Sequence, residues 1–328
     1  MTQPAPFQTV LVHASFRASA LQQKRVASLF DACIDHTFHY AGLRQASLWL
    51  RVHQAHAPHP VELARDSIYH SAAHALAREL AGQTLHVIGL GCGGGEKESC
   101  VLQALRTAGC TLRYTPVDVS PELALMAAEA AAGLTDEPIL PVVGDLDLLP
   151  ALKNRLDDSR PTEQRVYTAF GLSPNFPPGH FLSGLTTVLG ERDHLLLSAN
   201  LAPVQEDSEA DYQAGCQSIR HQYDNPETRL WLRQVLIDWG LAEYLGEVYF
   251  EAGSLEGIRG FFAYADWLDA LAFDWEGQPY RAAKGERLRL FFSLRYTPNR
   301  LANTLQSHGL RLMEGQVTHC RQEGVWRV

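Results

Sequence analysis

The chain has 328 residues, of which 46% are hydrophobic and 20% charged, with a formal net charge of −9. That composition suits a globular protein of one large domain or two moderate ones. The acidic balance argues against a nucleic-acid partner. No run of about 18 apolar residues is present to span a membrane, so no membrane partner is expected.

The first twenty residues lack a basic start followed by an apolar run, so a cytoplasmic location is expected rather than secretion. Six cysteines (Cys33, Cys92, Cys100, Cys110, Cys216 and Cys320) show no CxxC spacing and read as free thiols. Residues 19–34 and 62–81 carry the i, i+3/i+4 apolar spacing of amphipathic helices. Between them, HQAHAPHP brings His53, His56 and His59 close together. No neighbouring Cys or carboxylate completes a ligand set and the prolines predict an irregular loop, so no metal is expected.

From residue 84 short β-runs alternate with helices. Strands are predicted over 85–90, 112–119, 139–145, 165–172 and 194–201, and helices over 96–109, 121–133 and 179–190. This alternation implies βαβ units and a parallel sheet. Residues 203–285 differ: a polar, acidic helical stretch is followed by alternating runs typical of antiparallel strands. That segment reads as an insertion with its own small core. A strand over 287–296, a helix over 298–308 and the closing runs LRLMEG and GVWRV return to a strand–helix–strand pattern.

The apolar run LHVIGL opens into GCGGGEKESC, with glycines at 89, 91, 93, 94 and 95. Glycine permits a tight turn and leaves bare backbone for close ligand approach. Gly89-Leu90-Gly91-Cys92-Gly93-Gly94 fits the GxGxxG dinucleotide fingerprint. Gly91-Cys92-Gly93-Gly94-Gly95 equally fits the loop of S-adenosylmethionine (SAM) enzymes. Glu96, Lys97 and Glu98 follow at once, and an acidic first turn opposes a pyrophosphate. SAM carries an ammonium and a carboxylate instead, and Lys97 could meet the latter; charge therefore favours SAM. Asp118, ending the second strand, is placed for a ribose diol, and Asp145, ending the third, for an adenine amino group. These features stand in order at the carboxyl ends of three successive strands, where open α/β sheets bind ligands. Ser173, Pro174 and Asn175 follow the fourth strand, where a methyl acceptor would lie, and Asn175 offers both a donor and an acceptor.

Together these segments resemble the histidine Nα-methyltransferase of ergothioneine biosynthesis and its wider group of SAM-dependent methyltransferases, from about residue 84 onward. The family's ELGSGTSEKT is met by GLGCGGGEKE (89–98), its PVDIS by PVDVS (116–120) and its FxGSxxGNF by FGLSPNF (170–176). Its YDD resembles Tyr223-Asp224-Asn225, and its Glu-x-Ser before a Lys-aromatic pair resembles FFSLRY (291–296). The resemblance implies a Rossmann-like α/β sheet, mostly parallel with antiparallel C-terminal strands, and a smaller α+β substrate-binding domain. The first would comprise 66–202 and 286–328, the second 1–65 and 203–285. It implies that Gly91, Cys92, Gly93, Lys97, Asp118, Asp145 and Leu146 contact SAM. Asn175 and Tyr223 would hold an amino acid's amino and carboxylate groups, with Phe291 and Ser293 lining its side-chain pocket.

Two departures stand out. The acid that ends the family's first strand is Gly89, which removes a contact to the methionine amino group. The family's imidazole-binding glutamate is met by Phe291, and a phenyl ring would leave a buried imidazole N–H unpaired at about 1–3 kcal/mol. The expected activity is therefore SAM-dependent N-methylation of an amino acid or small amine other than histidine. A relative that binds SAM without turnover and an NAD(P)-dependent oxidoreductase are the alternatives.

Overall fold

A computed structural model of the chain describes residue 7 and residues 9–56, 67–156, 163–204 and 208–328. Strand β1 (Leu11–Val12) leads to three helices, α1 (Ala18–Phe30), α2 (Thr37–Tyr40) and α3 (Leu43–His56). Helix α4 (Ile68–Glu79), N-capped by Ser67, precedes strand β2 (Thr84–Leu90), whose residues from Leu85 onward are all buried. There follow α5 (Glu96–Thr107), β3 (Thr111–Asp118), α6 (Pro121–Ala130), β4 (Val142–Val143), α7 (Leu149–Leu156), β5 (Gln164–Ala169), α8 (Pro178–Val188) and β6 (His194–Asn200). Ser120 caps α6 and Pro121 opens it, a pairing that fixes the helix start.

The inserted region supplies α9 (Glu209–Ser218), α10 (Pro226–Asp238), β7 (Tyr249–Leu255), β8 (Ile258–Asp266), β9 (Leu271–Trp275) and β10 (Gln278–Ala282). The chain ends with β11 (Arg287–Leu294), α11 (Pro298–Gln306), β12 (Gly315–Val317) and β13 (Glu323–Arg327).

The main sheet has the order β1-β4-β3-β2-β5-β6-β13-β12. The strands from β1 to β6 pair in parallel, and β13 and β12 pair antiparallel. This is the parallel sheet expected from the strand–helix alternation and the Rossmann-like sheet that the resemblance implied. Continuous apolar strands such as β2 are required because both faces are covered by helices.

Four local expectations are corrected. The strand foreseen over 139–145 shrinks to Val142–Val143, and LRLMEG stays outside the sheet except for its final glycine. His53 and His56 lie on α3, a regular helix instead of a loop, while His59 falls outside the described residues. The strand over 287–296 does not join the main sheet: β11 pairs with β8 in a three-stranded antiparallel sheet ordered β11-β8-β7.

Strand β8 joins the two halves of the molecule. Its side chains alternate between faces. Ile258 and Phe262 pack into the core of the main sheet, while Phe261, Ala263 and Ala265 pack into a separate core with Tyr212, Trp231 and Trp267. At Gly260 the neighbouring strand is so close that an added Cβ would meet the Ser293 carbonyl oxygen and stand 2.9 Å from Leu294 Cα. Those atoms are backbone and cannot rotate away. Gly260→Ala is expected to cost about 1–3 kcal/mol of stability by overpacking, read as a lower urea midpoint at unchanged slope.

Candidate functional site

The carboxyl ends of β2, β3 and β5 open onto a cavity of about 530 Å³, also lined from α3, α10 and β11. The glycine turn forms one wall. Gly91, Gly93 and Gly95 have φ of 59°, 52° and 80°, a region that side-chain-bearing residues rarely occupy. The Gly91 N–H donates to the Val117 carbonyl at 2.8 Å, tying the turn to β3. A Cβ at Gly93 would stand 3.1 Å from the Trp49 ring, so the turn and α3 meet with bare backbone between them.

Asp118 ends β3 with its carboxylate buried. Oδ2 accepts the Gly93 N–H at 3.0 Å and Oδ1 the Ser120 N–H at 2.9 Å. Burial pushes its pKa up to about 6, against the pull of these backbone donors. Asp118 lines the cavity, and a carboxylate oxygen with two lone pairs can accept more than one donor.

The other sequence-derived residues divide. Gly91, Cys92, Gly93, Lys97, Leu146, Asn175, Tyr223, Phe291 and Ser293 all line the cavity with Asp118. Asp145 is not among the described lining residues. Its carboxylate caps the turn at Leu146–Leu148 and pairs with Lys24 at 2.7 Å. Asp145, Asp147 and His36 cluster closely enough to offer ligands to an ion, but the Lys24 ammonium already supplies positive charge there. Lys97 donates to Tyr69 Oη at 2.8 Å and pairs with Glu323 at 3.3 Å. Ser173 and Pro174 are buried behind the loop, with Ser173 Oγ donating to the Ser198 carbonyl. In the Tyr223-Asp224-Asn225 segment only Tyr223 reaches the cavity. Asp224 pairs with Arg229, and Asn225 caps α10.

Sequence patterns missed several residues of the far wall. Tyr40 ends α2, Trp49 lies on α3 and Trp231 on α10, and all three face the cavity with Phe291. Trp231 meets Phe291 edge-on at 5.3 Å and Tyr40 at 5.5 Å, and Tyr40 meets Trp49 at 6.1 Å. Asn175 Nδ2 donates to Tyr40 Oη at 3.4 Å, joining the β5 loop to this aromatic wall. Behind it, Arg295 is 2% exposed. Its Nε donates to Tyr223 Oη at 2.8 Å, its guanidinium stacks over the Tyr223 ring, and Tyr223 and Ser293 share a hydrogen bond at 3.0 Å. No carboxylate pairs with Arg295 among the described residues.

A glycine turn tied to a strand-end carboxylate at the carboxyl edge of a parallel sheet defines a nucleoside-binding α/β protein. Residues 64–224 match the model of a family described as histidine-specific, SAM-dependent methyltransferases, and the chain is a SAM-dependent methyltransferase. The dinucleotide parsing of the turn gives way to the SAM parsing accordingly. Among solved structures, the chain is similar to the magnesium protoporphyrin IX methyltransferase of Synechocystis PCC 6803 with bound S-adenosylhomocysteine. Identity is 13%, over 89% of this chain and 98% of that one, with a TM-score of 0.41. It is also similar to the CcbJ methyltransferase of Streptomyces caelestis, at 14% identity over 83% of this chain and 97% of that one, TM-score 0.39. A third is the 1,6-didemethyltoxoflavin-N1-methyltransferase of Burkholderia thailandensis, at 13% identity over 87% of each chain, TM-score 0.40. No curated protein matches the chain. No helix among the described residues is long and apolar enough to cross a membrane.

The site carries a second buried acid. Glu98, in the first turn of α5, lines the cavity, and burial pushes its pKa up to about 7 from an ordinary 4.5. The folded protein therefore holds a proton that the unfolded chain releases across that window, so this group withdraws stability as pH rises from 4.5 to 7. In Glu98→Gln the contribution disappears. The variant should gain roughly 3 kcal/mol on the wild type between those two pH values, and parallel urea curves at both would contradict this.

Proposed function

We propose that the protein methylates the amine nitrogen of a small amino-acid-like acceptor whose side chain is apolar or aromatic. The observation that carries this is the wall of Tyr40, Trp49, Trp231 and Phe291 that lines the cavity beside Asn175. Aromatic faces favour apolar or ring-bearing partners. Phe291 offers no acceptor to an imidazole N–H. Arg295 places a buried positive charge, unpaired with any described carboxylate, behind Tyr223 and Ser293, which favours an acceptor bearing its own carboxylate.

On this proposal Gly91, Cys92, Gly93, Lys97 and Leu146 surround SAM and Asp118 receives its ribose hydroxyls. Asp145 supports the adenine side from behind, through the turn it caps. The cofactor side is carried by 66–202 and the segments after β11. The acceptor side is carried by α1–α3, residues 203–285 and β11 itself. Bound SAM supplies a methyl group on a sulfonium, open to in-line attack. Asn175 orients the attacking amine by hydrogen bonding, and the aromatic wall keeps water from the reacting atoms. Tyr223 Oη accepts from Arg295 and so has its own proton to share with Ser293 or an acceptor carboxylate. The amine binds as the free base, so no strong general base is required of the chain.

Incubation with SAM and a panel of amino acids and aryl-alkylamines tests the proposal. S-adenosylhomocysteine should form with an aromatic or apolar amino acid, and efficient turnover of histidine at micromolar concentration would contradict the acceptor class. Asn175→Ala should lower kcat/KM about 10- to 100-fold, the loss of one buried hydrogen bond, while S-adenosylhomocysteine affinity measured by calorimetry stays within about twofold. Equal losses in both would place Asn175 on the cofactor instead.

A further inference from the structure

Glu98 is 2% exposed, lines the cavity, and accepts one side-chain hydrogen bond, from Thr168 Oγ1 at 3.2 Å. Among the described residues no cation stands within ion-pair distance of it. Its neighbour Lys97 is engaged with Tyr69 and Glu323. A carboxylate removed from water without a cation is costly unless a ligand supplies the missing charge. Burial accordingly raises its pKa, so the unliganded site strains against the ionised form.

The end of β2 explains why the acid comes from a helix. A Cβ at Gly89 would lie 3.0 Å from Tyr114 Oη, 3.2 Å from Glu98 Cγ and 3.4 Å from Cys92 Cβ. The space that a side chain on the strand would take is filled by the Glu98 methylene reaching over it from α5. The buried Tyr114 hydroxyl at the same spot has no hydrogen-bond partner among the described residues. Two positions of one loop are thus exchanged: a glycine stands where an acid could project from the strand, and an acid projects from the helix into the room this leaves.

We propose that Glu98 is the carboxylate that binds the α-ammonium of SAM, taking over from the helix a role that the bare strand end at Gly89 cannot fill. This rests on SAM being the cofactor. It adds that the amino-acid end of SAM, not its nucleoside, depends on Glu98.

S-adenosylhomocysteine and 5′-methylthioadenosine share adenine, ribose and thioether, and only the former carries the ammonium. Calorimetric titration of both into the full chain and into Glu98→Gln separates the two ends of the ligand. The variant should lose about tenfold or more in S-adenosylhomocysteine affinity, the value of a charged hydrogen bond, with methylthioadenosine affinity held within about twofold. Equal losses for both ligands, or none, overturn the proposal. Should Glu98→Gln not fold, the wild type provides the same readout by pH. The ratio of the two affinities should fall as pH is lowered from about 8 to about 6, because Asp118 acts on a ribose common to both. The other groups facing Glu98 are Lys97 and Glu96 on α5, Cys92 in the turn and Tyr114 on β3, and burial holds the last two thiol and phenol protons well above that range. A flat ratio overturns the proposal. A wild type that binds neither ligand overturns the cofactor site itself and the proposal with it.

Discussion

The hydrogen bond from the Gly93 amide to the Asp118 carboxylate is the constraint on which the site depends. It ties the turn after β2 to the end of β3, and the Gly91 amide reinforces it through the Val117 carbonyl. The parallel register of β2 on β3 brings these atoms level, and left-handed glycines let the backbone turn back sharply enough to meet them. One carboxylate therefore closes the loop and faces the cavity at the same time. A buried acid held this way keeps two roles at the expense of a raised pKa.

A second constraint joins the cofactor side to the acceptor side. Because β8 buries both of its faces, one against the main core and one against the inserted core, neither half can shift freely over the other. β11, paired to β8, carries Phe291, Ser293 and Arg295's neighbour Leu294 in fixed register. A bulge between Arg289 and Phe291 changes which side chains of β11 face the cavity. The aromatic wall is thus set by strand pairing and helix packing far apart in sequence.

Charge in the site is partly spoken for by the protein itself. Lys97 is engaged with Glu323 and Tyr69, and Asp145 with Lys24, so two groups that resemble ligand contacts also satisfy one another. Glu96, Glu98, Asp118 and Arg295 line the cavity without an ion-pair partner among the described residues. An ammonium and a carboxylate are the groups that would balance them. That distribution is in keeping with the proposed amino-acid-like acceptor.

The sequence alone determined the α/β class, the sheet core, the glycine turn and Asp118, because each rests on short-range chemistry: period-two and period-3.6 apolar patterns, left-handed glycines, and an acid at a strand end. The resemblance added Tyr223, Phe291 and Ser293 through short motifs that also lie in one loop or strand apiece. Only the tertiary structure decided that Asp145 turns to Lys24, that β11 leaves the main sheet for β8, and that His53 sits on a helix. It alone gathered Tyr40, Trp49, Trp231 and Arg295 around the cavity, and showed Glu98 occupying the room above Gly89. These outcomes depend on which surfaces meet when helices and sheets pack, and on where a buried charge finds or lacks a partner. Neither quantity has a period or a spacing along the chain.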